Sequence, residues 1–379
     1  MRSISASLPR LSGVEERSPL RRLGNADWLP VLAALLLGGI GWATVASATA
    51  EIGEGYAIRQ GIWLIVGVIA GVLVFQLDYH KLVDLAPIFY GLCLVLLVLV
   101  LFVGEVRGGA RSWLALGPVG GQPSELAKLA TALALARYLG QIQRSFLGLR
   151  QILVACTLVA VPVVLVVLQR DLGSAAMFLP MLAGMLLVAG VRRQFLIVAA
   201  ILAAAFAAGF WTWGMEDYQR ARVLSFVQPE ADPLGAGYQV LQSKIAVGSG
   251  QWIGRGYGQG TQSQLRFLPE RHTDFIMAVL AEEWGFLGVA AVLLLYGLYF
   301  SSAAKVAGRS RDRTGLLMII GLMSLVSFHV IYNTAMVVGL VPITGIPLPF
   351  LSYGGSFLLL NAIICGLVVN VDYRRYVNR

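Results

Sequence analysis

Ionisable side chains gather at the entrance to one apolar segment of the sequence, RFLPERHTDFIMAVLAEEWG (residues 266–285). Arg271, His272 and Asp274 stand at its threshold, and two glutamates follow within it. A charged side chain at the centre of a bilayer costs about 2.5–3.5 kcal/mol on insertion scales, so such groups are rare there and usually functional. A carboxylate held beside cations is suited to take a proton from a hydroxyl group, as a general base does.

Asp274 is the strongest candidate for a site residue because it precedes a long helical run and follows a segment rich in cations. A single Asp at such a boundary is more often a helix cap. A site role is favoured here because Glu125 and Asp171, at the ends of two other apolar runs, are expected to reach the same side at similar depth. Glu282 lies about two turns deeper, and Glu283 faces another direction, since consecutive helical residues differ by about 100°.

The stretch QPSELAK (122–128) opens an apolar run and places Glu125 and Lys128, three residues apart, on one helix face. Two interpretations stay open: an interfacial Glu favoured by the helix dipole with Lys128 extending toward water, or a charge pair that lines a polar cavity. In the stretch LQRDLGS (168–174), Asp171 is explained equally well as a helix cap and as a site residue.

Two further patterns concern the outer ends of the last apolar runs. His329 and Asn333 lie four residues apart in one run, and we expect them to form hydrogen bonds between helices rather than to bind a ligand. The stretch GLVPITGIPLPFLSYGGS (339–356) is rich in proline and glycine, so it cannot be a regular helix and is expected to be a re-entrant or surface turn.

Residues 213–273 form a long stretch that is too polar to span a membrane and contains the cations Arg220, Arg222 and Lys244. A loop of this length is usually functional. Its alternating glycines at 254–260 lack the strand and helix of a dinucleotide site. We interpret them as backbone that turns tightly and approaches a ligand, with a flexible surface loop as the alternative. The amphipathic LQSKIAVGSG (241–250) is expected to lie on the membrane or over a cavity.

The composition indicates an all-α integral membrane protein. Hydrophobic residues make up 58% of the 379 residues and charged residues only 13%, about half the charged fraction of a soluble protein. Apolar runs long enough to cross a bilayer as helices recur ten times, at about 28–48, 57–77, 85–103, 122–139, 151–169, 173–190, 194–212, 275–300, 315–340 and 354–371.

The positive charges predict the orientation of these ten spans. With a cytoplasmic N-terminus, the cytoplasmic segments hold 18 of the 29 Lys and Arg residues, in short tracts. Such a bias predicts that both termini are cytoplasmic. The organisation is then a cytoplasmic tail (1–27), a membrane domain (28–371) with a long extracytoplasmic loop (213–273) between spans seven and eight, and a second cytoplasmic tail (372–379).

Two other classes of function are disfavoured by the composition. Cys93, Cys156 and Cys365 all fall within apolar runs without a CxxC pattern, so we expect neither a disulfide nor a cysteine metal site. The net charge of +9 is explained by the membrane topology, and we expect no nucleic-acid partner.

The longest motifs resemble the SEDS family (shape, elongation, division and sporulation). The matching stretches are GARSWLALG, QPSELAK, YQRARVLSF, PEADPLGAGYQ, QSKIAVGSG, GTQSQLRFLPERHTDFIMAVLAEEWGFLG and GLVPITGIPLPFLSYGGS. The resemblance covers essentially the whole membrane domain. The forms PITGIPLPF and DPLGAGYQVLQSKIAVGSG are closer to the elongation (RodA) type than to the division (FtsW) type.

The resemblance implies a peptidoglycan glycosyltransferase for cell elongation and rod shape. Such an enzyme polymerises lipid II at the outer face of the bacterial cytoplasmic membrane. It would work with a class B penicillin-binding protein, which is a transpeptidase, and with other proteins of the elongation complex. We expect the growing glycan strand to be the donor and lipid II to be the acceptor.

The resemblance also assigns site residues. The Asp of the family's HTDF motif is its catalytic residue, which here is Asp274. Substrate-binding candidates come from the other matched motifs: Glu125, Lys128, Asp171, Arg220, Arg222, Lys244, His272, Thr273 and Ser352. The sequence departs from the family at one position. Members of the family usually have an Arg directly before this Trp, whereas here Ser112 precedes Trp113 and Arg111 lies one place earlier.

The implied transfer inverts the anomeric carbon, which requires a carboxylate to accept the proton of the attacking hydroxyl group. Asp274 is that base. The leaving diphosphate requires nearby positive charge, for which Lys128, Arg220 and Arg222 are the candidates. A divalent cation such as magnesium near Glu125 or Asp274 is compatible with this chemistry, although the sequence contains no metal-binding motif. No organic cofactor is expected.

Two alternatives stay open at the sequence level. A flippase or transporter of lipid-linked precursors would also have many spans, but its carboxylates are expected near the bilayer midplane on broken helices. A non-catalytic scaffold that activates its partner would not need the Asp274 carboxylate.

Overall fold

Apolar runs of the sequence form long helices, because a helix satisfies its own backbone hydrogen bonds where water is absent. The computed structural model describes residues 26–53, 55–107, 109–116, 119–144, 146–195, 235–265 and 267–375, and the single positions 197, 198, 201, 209, 212, 220 and 226. The helices are α1 (Leu29–Thr49), α2 (Gly55–Gln76), α3 (Tyr79–Asp84), α4 (Ala86–Val103), α5 (Pro123–Gly140), α6 (Leu149–Leu168), α7 (Leu172–Ala176), α8 (Phe178–Ala189), α9 (Ala236–Gly250), α10 (Thr261–Gln264), α11 (Ile276–Arg309), α12 (Arg313–Val337) and α13 (Gly355–Arg374).

Eight segments within the described ranges are long and apolar enough to span a membrane: α1, α2, α4, α6, α7 together with α8, α11, α12 and α13. The predicted fourth span is also a helix, α5, but 14 of its 18 residues are buried. Because other helices cover α5, it can carry ionisable side chains without exposing them to lipid. The predicted seventh span (194–212) lies almost wholly outside the described residues, so the ten-span arrangement stays a prediction.

The two ends of the described bundle meet. The backbone N–H of Asp27 donates to Asp372 Oδ2 at 2.8 Å, which places the start of α1 beside the end of α13. The start of α1 and the end of α13 therefore lie on the same side of the bundle, as the predicted orientation requires. Which side faces the cytoplasm is a separate question that only the charge bias addresses.

The expectation of an entirely helical fold is wrong between α4 and α5. Here the chain forms a three-stranded antiparallel sheet of β1 (Glu105–Arg107), β2 (Ala110–Leu116) and β3 (Val119–Gly121). The backbone N–H of Arg111 in β2 donates to the carbonyl of Gln169 at 2.9 Å, which attaches the sheet to the end of α6. β1 and β3, with three residues each, are too short for an alternation of polar and apolar residues to predict them, and β2 (ARSWLAL) does not alternate strictly.

The long stretch 213–273 is not a loop throughout. Its described part contains α9 and α10, and α9 packs against α11 and the end of α12. Ser243 Oγ in α9 donates to the carbonyl of Val337 at 2.7 Å. The segment 241–250 is therefore a helix laid across the ends of two spans. Its expected position on the membrane or over a cavity stays a prediction.

α11 is broken near its start, at Gly285, whereas a single unbroken helix is expected from the apolar run. Gly285 has φ +64°, and a Cβ there would collide with the backbone of Gly254. The backbone N–H groups of Arg255 and Gly256 donate at 3.0 Å to the carbonyls of Glu282 and Glu283, which the break leaves without helical partners. Gly254 thus allows one backbone to approach another, and contact of the alternating glycines with a ligand stays a prediction.

Residues 338–354 form a re-entrant segment that turns back into the bundle between α12 and α13. A Cβ on Gly41 would lie 2.6 Å from Leu351 Cα and 2.6 Å from the carbonyl oxygen of Phe350. Gly41 lies eight residues before the end of α1 at Thr49, a rise of about 12 Å at 1.5 Å per residue. The proline-rich segment is therefore re-entrant, one of the two conformations expected from the sequence.

A pair of substitutions in α1 tests this close approach. Gly41→Ala should lower the free energy of unfolding by about 1–3 kcal/mol, because backbone rather than a movable side chain occupies the position of the new methyl group. Gly39→Ala is the matched control, since a Cβ there meets nothing within 4 Å. Thermal unfolding of the purified protein measures both, and equal stability of the two variants would contradict the described packing.

Candidate active site

Asp274 lies in the turn that leads into α11. Its backbone N–H donates to the carbonyl of Glu270 at 3.0 Å, which forms the turn. Asp274 is partly exposed, whereas every residue from Phe275 to Glu283 is buried. A Cβ built on Gly345 would lie 3.4 Å from Asp274 Oδ2 and would meet nothing else within 4 Å. The carboxylate therefore faces the re-entrant segment at a position where glycine leaves room beside it.

Three consecutive carbonyl groups hold the Asp274 turn in place. The carbonyl of His272 accepts a hydrogen bond from the backbone N–H of Tyr353 at 2.9 Å. That of Thr273 accepts from Ser352 Oγ at 2.6 Å, and that of Asp274 accepts from Asn333 Nδ2 at 2.8 Å. We call these three bonds the carbonyl clamp. They fix the backbone from which the Asp274 side chain projects.

Ser352, predicted to bind substrate, belongs to the clamp. Its hydroxyl oxygen also accepts a hydrogen bond from the backbone N–H of Leu348 at 2.7 Å, and the residue is 1% exposed. Thr273 is partly exposed, and its hydroxyl contacts the carbonyl of Glu270 at 3.2 Å. Both residues therefore shape the turn that carries Asp274.

His329 and Asn333 do not join helices to one another, which corrects the expectation from their spacing. His329 Nδ1 lies 3.2 Å from the carbonyl of Pro347, and Asn333 Nδ2 donates to the carbonyl of Ile346 at 2.7 Å as well as to the clamp. Both side chains therefore hold the re-entrant segment. Their spacing of four residues places them on one face of α12, and the helix-poor segment that follows needs such partners for its backbone.

Glu125 and Lys128 form a buried ion pair. Lys128 Nζ lies 2.8 Å from Glu125 Oε1, and the two residues are 0% and 4% exposed respectively. The ammonium group lies 5.9 Å from the centre of the Phe357 ring, and the His329 ring packs on the same ring at 4.9 Å. Of the two interpretations left open by the sequence, the structure excludes Lys128 extending toward water.

Asp171 caps α7. Its Oδ1 accepts a hydrogen bond from the backbone N–H of Ser174 at 3.0 Å, and its Oδ2 accepts from Gln122 Nε2 at 2.7 Å. A Cβ on Gly173 would lie 2.6 Å from the carbonyl oxygen of Thr344, one residue before Gly345. The cap thus joins the start of α7 to the start of α5, close to the segment that Asp274 faces.

His272 is packed between aromatic rings. Its ring centre lies 5.0 Å from that of Tyr56 and 5.7 Å from that of Tyr353. Burial lowers the pKa of His272 below its ordinary value, with an opposing influence from Glu270. His272 is therefore neutral at pH 7 and does not supply positive charge to this site.

The predicted cations are distributed over the outer segments. Lys244 lies on α9 with its side chain over Gly339, where a Cβ would approach Nζ to 2.7 Å. Arg220 donates to the carbonyl of Thr212 at 3.1 Å, and Arg222 lies outside the described residues. At the position where the sequence departs from the family pattern, Ser112 on β2 is buried. Arg111 is exposed, and its guanidinium donates to the carbonyl of Leu101 at 3.3 Å.

The glutamates of the opening motif stabilise the chain around the α11 break. Glu282 accepts hydrogen bonds from the backbone N–H groups of Gln262 at 2.8 Å and Ser263 at 3.1 Å, at the start of α10. Glu283 accepts a hydrogen bond from Ser47 Oγ. Arg271 donates to the carbonyl of Ala48 at 2.6 Å. Each of these three buried side chains has a backbone or hydroxyl partner in the fold, so their crowding at the motif has a structural cause.

Among the described residues, no group of three or more His, Cys, Asp or Glu side chains is arranged to hold a metal ion. Magnesium is usually held by one or two carboxylates together with phosphate oxygens of a substrate. Asp274, which is partly exposed, fits that mode better than a site built from protein ligands alone. The expected magnesium therefore stays a proposal.

Comparison with known proteins gives a consistent result. Residues 27–377 match the family of FtsW, RodA and SpoVE, described as cell cycle protein. The chain is 42% identical over 313 residues to the peptidoglycan glycosyltransferase MrdB of Escherichia coli (strain K12), covering 82% of this chain and 83% of that protein. It is 31% identical to the peptidoglycan glycosyltransferase RodA of Treponema pallidum, covering 94% and 99% of the two chains.

Solved structures show the same fold. One reports the structural coordination of polymerization and crosslinking by a peptidoglycan synthase complex, with a TM-score of 0.81, 34% identity, and coverage of 93% of this chain and 99% of that chain. The rod shape determining protein RodA of Thermus thermophilus gives a TM-score of 0.69 at 30% identity, with coverage of 93% and 98%.

The buried ion pair predicts a non-additive effect on stability. Lys128→Met leaves the Glu125 carboxylate buried without its partner and should cost about 3–5 kcal/mol of unfolding free energy. Adding Glu125→Gln should recover most of that loss, because a neutral amide is far less costly to bury. Thermal unfolding of both single variants and the double variant measures this coupling.

The control for that series is Lys305→Met, which removes an exposed lysine near the far end of α11 and should change the stability by less than about 0.5 kcal/mol. If the decreases in unfolding free energy of Glu125→Gln and Lys128→Met simply add in the double variant, the ion pair does not stabilise the fold.

Proposed function

Because this chain belongs to the FtsW, RodA and SpoVE family of cell cycle proteins, we propose that it is a peptidoglycan glycosyltransferase of the elongation type. It joins disaccharide units of lipid II into glycan strands for rod shape. The relatives named for this activity match most of the chain, at 42% and 31% identity. The activity is a hexosyl transfer from an undecaprenyl-diphosphate-linked donor.

One observation carries the assignment of the base: the Asp274 carboxylate is partly exposed on a turn that is otherwise clamped into the bundle. A general base must reach the proton that it accepts and must hold its position while doing so. The clamp fixes the Asp274 backbone, and Gly345 leaves space beside the carboxylate. Of the other carboxylates predicted for the site, Glu125 is paired with Lys128 and Asp171 caps α7.

The proposed transfer proceeds in one displacement. The hydroxyl oxygen of the acceptor sugar attacks the anomeric carbon of the donor, and Asp274 takes the proton of that hydroxyl. The bond between the anomeric carbon and the diphosphate oxygen breaks, and its electron pair leaves with the lipid diphosphate. The anomeric configuration inverts because attack and departure occur on opposite faces.

Charge around the leaving diphosphate comes from more than one source. Lys128 is already neutralised by Glu125 at 2.8 Å, so this pair contributes little net positive charge. The candidates that remain are Lys244 on α9, together with Arg220 and Arg222 from the extracytoplasmic stretch. Magnesium bound between the diphosphate and a carboxylate would supply further positive charge when present.

The proposed site lies at the outer face of the bacterial cytoplasmic membrane, where lipid-linked substrates enter with their tails in lipid. The charge bias of the sequence supports a multi-pass chain with both termini cytoplasmic. A class B penicillin-binding protein is the proposed partner, together with other proteins of the elongation complex. The similarity to the solved structure of a peptidoglycan synthase complex, which coordinates polymerization and crosslinking, supports this partnership.

Replacing the proposed base tests the function directly. Asp274→Asn keeps the size of the side chain but removes its basicity, so polymerisation of radiolabelled lipid II should fall by about 10²–10⁴-fold. The assay uses the full chain purified with its transpeptidase partner. Thermal unfolding of the same samples reports whether the variant is folded.

Asp312→Asn provides a matched control, because Asp312 caps α12 through a 2.7 Å bond from the backbone N–H of Gly315 and Asn caps a helix equally well. Its polymerisation rate should stay within about twofold of the unmodified protein. Near-normal polymerisation by Asp274→Asn would reject the base. A flippase would instead move labelled lipid II across vesicles without forming polymer.

A further inference from the structure

A single side-chain amide joins the two segments on either side of the Asp274 carboxylate. Asn333 lies in α12, one turn before its end at Val337, and is 0% exposed. Its Nδ2 donates to the carbonyl of Asp274 at 2.8 Å and to the carbonyl of Ile346 at 2.7 Å. An amide nitrogen carries two hydrogens, so both are used, one for each segment.

The position of these two carbonyls relates the amide to the carboxylate. Asp274 Oδ2 faces Gly345, and Ile346 is the next residue in the re-entrant segment. Asn333 therefore holds, from one rigid helix, both the residue that carries the carboxylate and the segment that the carboxylate faces. The width of the space between them depends on this amide.

The other two members of the carbonyl clamp do not perform the same task. Tyr353 donates through its backbone N–H, and Ser352 connects Thr273 to Leu348. Both belong to the re-entrant segment itself, so they move with it. Asn333 belongs to α12 and provides a reference outside that segment.

We propose that Asn333 is a positioning residue for the transfer, which aims the Asp274 carboxylate at the acceptor hydroxyl. This inference rests on the proposed function, since it takes Asp274 as the base. Proton transfer requires the heavy atoms to approach to about 2.6–3.2 Å. A displacement of about 1 Å is enough to reduce a rate by about 10²-fold.

The chain contains a chemically matched control for Asn333. Asn370 in α13 is also 0% exposed, and its Nδ2 donates to the carbonyls of Val74 at 2.9 Å, Phe75 at 2.9 Å and Leu77. These carbonyls close the end of α2, at the opposite end of that helix from Tyr56 and the aromatic contacts of His272. Asn370→Asp and Asn333→Asp therefore make the same chemical change at two places. Each replaces the side-chain NH₂ group with a carboxylate oxygen and removes two buried N–H donors.

The experiment compares these variants in the full chain with its transpeptidase partner. Initial rates of lipid II polymerisation give kcat and KM per folded molecule, and thermal unfolding gives stability. Asn333→Asp should lower kcat by about 10- to 100-fold and change KM by less than about threefold, because binding persists while the base is misplaced. Asn370→Asp should lose comparable stability and keep kcat near that of the unmodified protein.

Several outcomes overturn the inference. A kcat for Asn333→Asp within about twofold of the unmodified protein rejects the inference. A decrease of kcat in Asn370→Asp equal to that in Asn333→Asp rejects it as well. If the Asp substitution prevents folding, the milder pair Asn333→Ser and Asn370→Ser carries the same comparison with the same criteria. Asp274→Ala in the same series separates the two claims: full activity there rejects the base and the inference together. Lost activity there with normal kcat in the Asn333 variants rejects the inference alone.

Discussion

The structure depends on one constraint: the backbone at residues 272–274 must be held in place while the Asp274 side chain stays partly exposed. Three successive carbonyls accept hydrogen bonds from Tyr353, Ser352 and Asn333, all within 2.9 Å. A buried carbonyl without a partner is costly, so these bonds fix the turn as well as satisfy it. The re-entrant segment provides two of the donors, which explains why it must turn back into the bundle.

Close approach of backbone to backbone makes that arrangement possible. Gly41 lets the re-entrant segment reach deep beside α1, and Gly285 lets the 251–256 backbone satisfy the carbonyls at the break in α11. A Cβ at Gly41 or Gly285 would lie within 2.7 Å of backbone in the neighbouring segment, so a side chain at either position would push the segments apart. Packing between helices therefore controls the geometry of the site from a distance.

The charges near the site are balanced locally. Lys128 is paired with Glu125, Asp171 serves a helix start, and Glu282 and Glu283 accept hydrogen bonds from their neighbours. Burial without such partners would cost several kcal/mol for each ion. The compensating charge for a leaving diphosphate is then expected from the outer segments or from a bound cation.

The sequence by itself determined the membrane class and the approximate positions of nine apolar helices, and it named Asp274 as the candidate base, because apolar length and motif identity are local properties. It did not determine the short sheet before α5, the break at Gly285 or the roles of Ser352 and Asn333. Those depend on which backbone groups lack partners after the chain has folded, and residues far apart in sequence supply the missing donors: Asn333 lies 59 positions from Asp274. Only the tertiary structure decides such pairings, because an unsatisfied buried carbonyl has no signature in the residue that carries it.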